Sequence, residues 1–272
     1  ERETATSDDL ALMQRLVKEA IEVGALGFAT SRIFIHRTRD GAHIPSYDAA
    51  EAELTAIAQT LKELNRGTLQ FVLGAPGRDL PSEVELVARL ARTSGRPASF
   101  SLAQDNSNPD GWRRALAVAA RANDAGAQVR AQVLPRGVGI IVGHDVSINP
   151  FCLCPSYQAL TRLAFEEKIA AMRDPAVRAR LLSEAPMDPV APLAVMGRHF
   201  ERMFPFRDPP DYEPPLSHSI AARARAEGKT ALELAYDLLL EENGHAKLYV
   251  ILTNYAAGDR LDVGVEAFPG QK

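Results

Sequence analysis

The chain has 272 residues, 46% of them hydrophobic and 24% charged, with a net charge of -4 and a pI of about 5.9. A chain of this length buries on the order of three-quarters of its unfolded surface, and an acidic balance with no basic run excludes nucleic acid and anionic membrane surfaces as expected partners. No apolar stretch is long enough to span a bilayer, and the two cysteines, Cys152 and Cys154, stand one residue apart, so a soluble cytoplasmic protein with two free thiols is the expectation.

In chain order, Ser7 offers an N-cap to a first helix with Asp8 and Asp9 in its opening turn, and Met13, Leu16, Val17, Ala20 and Ile21 on one face before Gly24. A strand of small and apolar residues follows from Ala25 to Ser31, then a polar loop to Pro45. The spacing predicts a helix from about Tyr47 to Asn65, a buried strand Leu69 to Leu73, and a helix capped by Ser82 that ends near Gly95. A strand Ala98 to Ala103, a helix from about Asp110 to Asn123 and a strand Gln128 to Leu134 complete the regular part. Strand starts at Leu69, Ala98 and Val129 are one βα unit apart, which predicts an α/β protein with a parallel sheet. Periodicity does not separate a barrel from an open sheet. The absence of GxGxxG and GxxxxGK[ST] at any strand-to-helix turn favours part of a TIM-like (β/α) barrel.

The alternation is lost after about Gly143. Residues Pro155 to Leu182 read as helical with a break at Pro175, and eight of the 18 prolines fall between Pro186 and Pro215, a density that predicts an irregular segment. Phe200, Phe204, Phe206 and Tyr212 would give it a satellite core. Thr230 caps a helix to about Glu242, and a strand Leu248 to Leu252 follows. The expected division is a barrel segment 1–143, a helical and proline-rich insertion 144–228, and a helix–strand return to the barrel over 229–272.

Ligands bind parallel sheets at the carboxyl ends of their strands. There the sequence places Arg32, His36, Arg37 and Arg136 as cationic donors, with Gln104 and Asp105 as hydrogen-bonding partners, a set suited to a small carboxylate ligand. Each also has an ordinary structural role open to it, as a salt-bridged rim residue or a satisfied amide. No HxH, HExxH or GxSxG occurs, and no lysine stands at a strand exit for Schiff-base chemistry.

The ordered set GALGFATSR, HRTRDG, LQFVL, GRPASFSLAQ followed by Trp112, NPF and CPSY, and finally YDLLLEENG resembles the N-acyl-D-amino-acid deacylase branch of the amidohydrolase superfamily over nearly the whole chain. The resemblance implies a metal-dependent barrel, with zinc expected, in which a metal-activated water attacks the amide of an N-acyl D-amino acid and an aspartate acts as general base. It implies an internal segment, inactive alone, with the family's HxH before Glu1 and its catalytic aspartate after Lys272. The family's metal-binding histidines at two strand ends match Leu73–Gly74 and Gln104 here, so no metal ligand and no catalytic residue carries over. A degenerate barrel that only binds a ligand is the alternative, and exposed strand edges in a partial barrel make a homo-oligomer an expectation.

Overall fold

The computed structural model describes residues 4–38, 42–74, 77–134 and 138–256, and the chain divides into two compact units, Glu1–Leu134 and Pro135–Lys272.

The first unit alternates helix and strand: α1 (Ser7–Glu22), β1 (Gly27–Ser31), α2 (Glu51–Leu64), β2 (Thr68–Val72), α3 (Leu80–Ser94), β3 (Ala98–Leu102), α4 (Gly111–Asp124) and β4 (Val129–Val133). All neighbouring strands are parallel and their order in the sheet is their order in the chain. Sequential order decides what periodicity leaves open. Right-handed crossovers that always step the same way put every helix on one face, as in a (β/α) barrel, whereas a doubly wound sheet must reverse its strand order. The helix-covered face carries Leu69, Phe71, Ala98, Phe100, Leu102 and Val129, buried with Leu54, Ile57, Leu61, Val84, Val87, Leu90, Trp112 and Ala115. Gln70, Ser99, Ser101, Arg130 and Gln132 alternate with them and remain partly or fully exposed. β1 and β2 pair closely: a Cβ on Gly27 would lie 2.0 Å from the Thr68 carbonyl oxygen, so glycine is required there.

Local chemistry shifts several expected helix starts. Thr6, not Ser7, caps α1, because its hydroxyl accepts from the Asp9 N–H while the Asp9 carboxylate accepts from the Thr6 N–H, a reciprocal box. Asp79 caps α3 by accepting from the Ser82 N–H. A single helix from Tyr47 does not form. A short 3₁₀ turn, Pro45–Asp48, precedes α2, and the extended Ala49 and Ala50 separate the two.

The second unit opens with β5 (Val138–Val142), a strand that the sequence patterning does not predict. It continues through α5 (Pro155–Leu160), α6 (Phe165–Met172), α7 (Pro175–Ser183), α8 (Pro192–Gly197), β6 (Met203–Pro205), α9 (Ile220–Glu227), α10 (Ala231–Leu239) and β7 (Leu248–Thr253). Its sheet is antiparallel in the order β5-β7-β6. β7, expected to return to the barrel, is the central strand of this three-stranded sheet among the described residues, and the division of the chain falls between Leu134 and Pro135. Met203, Ile220, Leu234, Leu239, Leu248 and Val250 form one core, and Phe151, Cys154, Tyr157, Met172, Leu181 and Tyr236 another. A third gathers Phe204, Phe206 and Tyr212, three of the four aromatics expected to cluster, around Tyr249, Ile251 and Tyr255, while Phe200 packs on the first core.

Candidate functional site

The carboxyl ends of β1 and β2 are joined by a buried charge pair. Arg32 directly follows β1, its N–H donating to the Val72 carbonyl at 2.8 Å as if the ladder ran one residue further. Its guanidinium donates to both carboxylate oxygens of Glu83, Nε to Oε2 at 2.9 Å and Nη2 to Oε1 at 3.3 Å, and Nη1 donates to the Ala49 carbonyl at 2.9 Å. The two side chains are only 8% and 9% exposed. Glu83 reaches this position from the first turns of α3, and its Oε2 also accepts the N–H of Gly74, just after β2. The Glu83 carboxylate thus ties the β1 and β2 exits to the start of α3, and the Arg32 guanidinium adds the carbonyl of Ala49, just before α2. Arg32, expected to hold a substrate carboxylate, holds a protein carboxylate instead, because α3 delivers Glu83 to the same place.

The other expected residues divide by exposure. His36 and Arg37 lie exposed on the loop after β1, where His36 Nδ1 is 2.7 Å from the Ser31 hydroxyl and the Arg37 backbone pairs with that of His43 in an isolated bridge. Gln104 is 4% exposed at the β3 exit, its amide donating to the Pro109 carbonyl at 3.3 Å. Asp105 closes a local turn by accepting the Ser107 N–H at 2.8 Å and the Ser107 hydroxyl at 2.7 Å. Arg136 lies outside the described residues. At the β2 exit, a Cβ on Gly74 would meet the Arg78 side chain at 2.3 Å, while Arg78 itself donates to Asp48 at 2.7 Å and lies over the Tyr47 ring.

A second polar cluster, which no sequence motif marks, lies in the second unit. A cavity of about 220 Å³ is lined by His144, Val146, Ser147, Asn149, Cys152, Leu153, Tyr157, Gln158, Thr161, Lys168 and Leu193. His144 is 3% exposed, and its Nδ1 is 3.2 Å from the Tyr157 hydroxyl. Asn149 Oδ1 accepts the Phe151 N–H, which makes Nδ2 the donor to the Tyr157 oxygen at 2.9 Å. The Tyr157 proton is then free to go to His144 Nδ1, which leaves the imidazole proton on Nε2. That Nε2 is buried without a partner among the described residues, a cost of about 1–3 kcal/mol. Burial, with Lys168 nearby, pushes the His144 pKa down to about 4, and burial pushes Tyr157 up to about 12, so both side chains are neutral near pH 7.

Neither cluster has the composition of a metal centre. Among the described residues, no group of three or more His, Cys, Asp or Glu side chains is placed to hold an ion, and the β2 and β3 exits carry Gly74 and Gln104. Burial raises the Cys154 thiol pKa, and Cys154 accepts from Arg198 at 3.3 Å, so it is a packed thiol and not a ligand. The described residues do not fit a metal centre of their own. No helix among them is long and apolar enough to cross a membrane.

Among solved structures, a D-aminoacylase variant in complex with copper chloride is similar at 16% identity and a TM-score of 0.44, over 93% of this chain and 40% of that one. A D-aminoacylase described as defining a novel subset of amidohydrolases is similar at 17% identity and a TM-score of 0.43, with the same coverage. The L-hydantoinase (dihydropyrimidinase) of Arthrobacter aurescens is similar at 13% identity and a TM-score of 0.32, over 56% of this chain and 36% of that one. The chain thus spans 40% of the length of the D-aminoacylases it matches. No curated protein matches it. The amidohydrolase family model matches residues 1–242, most of the chain, which therefore belongs to the amidohydrolase family.

Proposed function

We propose that the chain is the central barrel portion of a hydrolase acting on the amide bond of N-acyl amino acids, the D-enantiomers foremost. The family match over residues 1–242 carries this reading. The deacylase-like motifs point the same way, as do the cationic groups grouped after β1. The working end is the carboxyl edge of β1–β4. There His36 and Arg37, exposed on the loop after β1, face the substrate carboxylate, while Arg32 and Glu83 hold that loop in place from below. Gln104 and Asp105 shape the β3 exit, and Arg136 is the further cation of the same rim. Zinc would polarise the amide carbonyl and activate the attacking water. Its ligands would come from outside the described residues, which contribute substrate binding and support of the loop.

A second reading, a barrel that binds its ligand without chemistry, is favoured by the β2 exit. There the space a histidine would need beside Gly74 is filled by Arg78. Steady-state kinetics on N-acetyl-D-amino acids with the protein containing this chain tests the first reading. Arg37→Ala is expected to raise KM by about tenfold or more with kcat little changed, the signature of a lost charge-assisted contact to the carboxylate. Unchanged KM in both Arg37→Ala and His36→Ala would remove these residues from the substrate site.

A further inference from the structure

The second unit's cavity has a composition suited to a ligand of its own. Its floor is formed by His144, Asn149 and Tyr157, buried and neutral, and its exposed rim includes Val146 and Leu193, 40% and 41% exposed. Among the eleven lining residues one is cationic, Lys168, and none is anionic. Lys168 donates to the His144 carbonyl at 2.7 Å and lies over the Phe165 and Tyr157 rings at 5.1 and 5.8 Å, and it forms no ion pair with a carboxylate among the described residues. The carboxylate whose field reaches it, Asp145, is already paired with Lys247 at 2.6 Å and His245 at 3.0 Å. An ammonium group has three donors, and only one is accounted for.

From this cavity we infer a binding site for a small monocarboxylate bearing an apolar group, its carboxylate on Lys168 and its apolar part against Val146, Leu153 and Leu193. The volume, about seven water molecules' worth at liquid density, suits a short acyl chain. The hydrogen-bond order Asn149 to Tyr157 to His144 spends the Asn149 and Tyr157 donors within the protein, so the Lys168 ammonium is the group that favours an anionic oxygen. This site belongs to the second unit alone and does not rest on the amide-hydrolysis reading.

Calorimetric titration of the protein with hexanoate and, separately, with its neutral isostere hexanamide tests the site. Saturable hexanoate binding is expected, about tenfold or more tighter than hexanamide, with a shift of the His144 ring resonances on binding. Lys168→Met, at a partly exposed position that tolerates the change, should weaken hexanoate by about tenfold and leave hexanamide unaffected, while Lys168→Arg restores binding. Val146→Trp, placed on the exposed rim, should block both. Absence of saturable hexanoate binding, or an affinity that Lys168→Met leaves unchanged, overturns the proposal.

Discussion

The strand ends of the first unit and the cavity of the second handle charge in opposite ways. At the β1 and β2 exits Arg32 meets Glu83 with two hydrogen bonds, and a third goes to the Ala49 carbonyl. At the cavity, Lys168 faces neutral groups and an imidazole N–H is left over. A saturated pair of this kind fixes geometry. An unsaturated one keeps binding capacity. The contrast teaches that a buried arginine at a strand exit, where ligand recognition is expected, can serve the scaffold, so that the proposed substrate contacts rest on His36 and Arg37 of the loop that follows.

The contrast is broken most severely by removing one partner. Glu83→Ala leaves the Arg32 charge buried and uncompensated, and is expected to cost about 3–5 kcal/mol. The double variant Arg32→Met/Glu83→Leu should recover most of that loss. Trp112, the sole tryptophan and 3% exposed in the first unit, reports this unfolding by fluorescence. An additive double variant would show that the pair is not coupled.

On the other side of the comparison, His144 makes the second unit sensitive to acid. Its pKa in the folded protein, about 4, lies below the ordinary histidine value of 6.5, so between those values the unfolded state binds the extra proton and stability falls as pH drops. The loss accrues at about 1.4 kcal/mol for each pH unit across that window, up to about 3 kcal/mol between pH 6.5 and pH 4. Lys168 and Lys247 add to this effect and Asp145 opposes it. Denaturant melts followed by circular dichroism should show the loss in the native protein and a flatter profile in His144→Gln; equal profiles would place the sensitivity elsewhere.

Smaller effects sharpen the outline. Gly27→Ala drives a Cβ into the Thr68 carbonyl and is expected to cost about 1–3 kcal/mol, read again at Trp112. Thr230→Ala removes the hydroxyl that caps α10 in a reciprocal box with Glu233, costing about 1 kcal/mol of second-unit stability, and Thr230→Ser should retain most of it.

The barrel-like half of the chain is legible because each of its elements is declared locally. LQFVL and ASFSLA are short apolar runs between turn residues, and strand starts recur at one βα length, so a parallel sheet follows without tertiary knowledge. The second unit is not, since β5 and β7 pair across about a hundred residues and VGIIV alone carries no sign of its partner. The proline-rich segment still forms α8 and β6 despite its composition, and which aromatics it buries depends on β7, which supplies Tyr249 and Ile251. Among the site residues, the polar turn after β1 can be seen in the sequence, but the role of Arg32 cannot. Its partner Glu83 is 51 residues away, one of 35 acidic residues, and nothing local marks it. His144 is likewise hidden, because its neutrality comes from burial and from Lys168, 24 residues further along, and its chain neighbour Asp145 pulls the other way.

The most direct test of the functional account is hydrolysis of paired N-acetyl-D- and N-acetyl-L-amino acids by the protein containing this chain, with its metal content measured before and after chelation. The account predicts turnover that favours the D-enantiomer, is lost with the metal and returns when zinc is restored. A folded, zinc-replete protein that hydrolyses neither enantiomer would contradict it and leave the strand ends of β1–β4 as a binding surface.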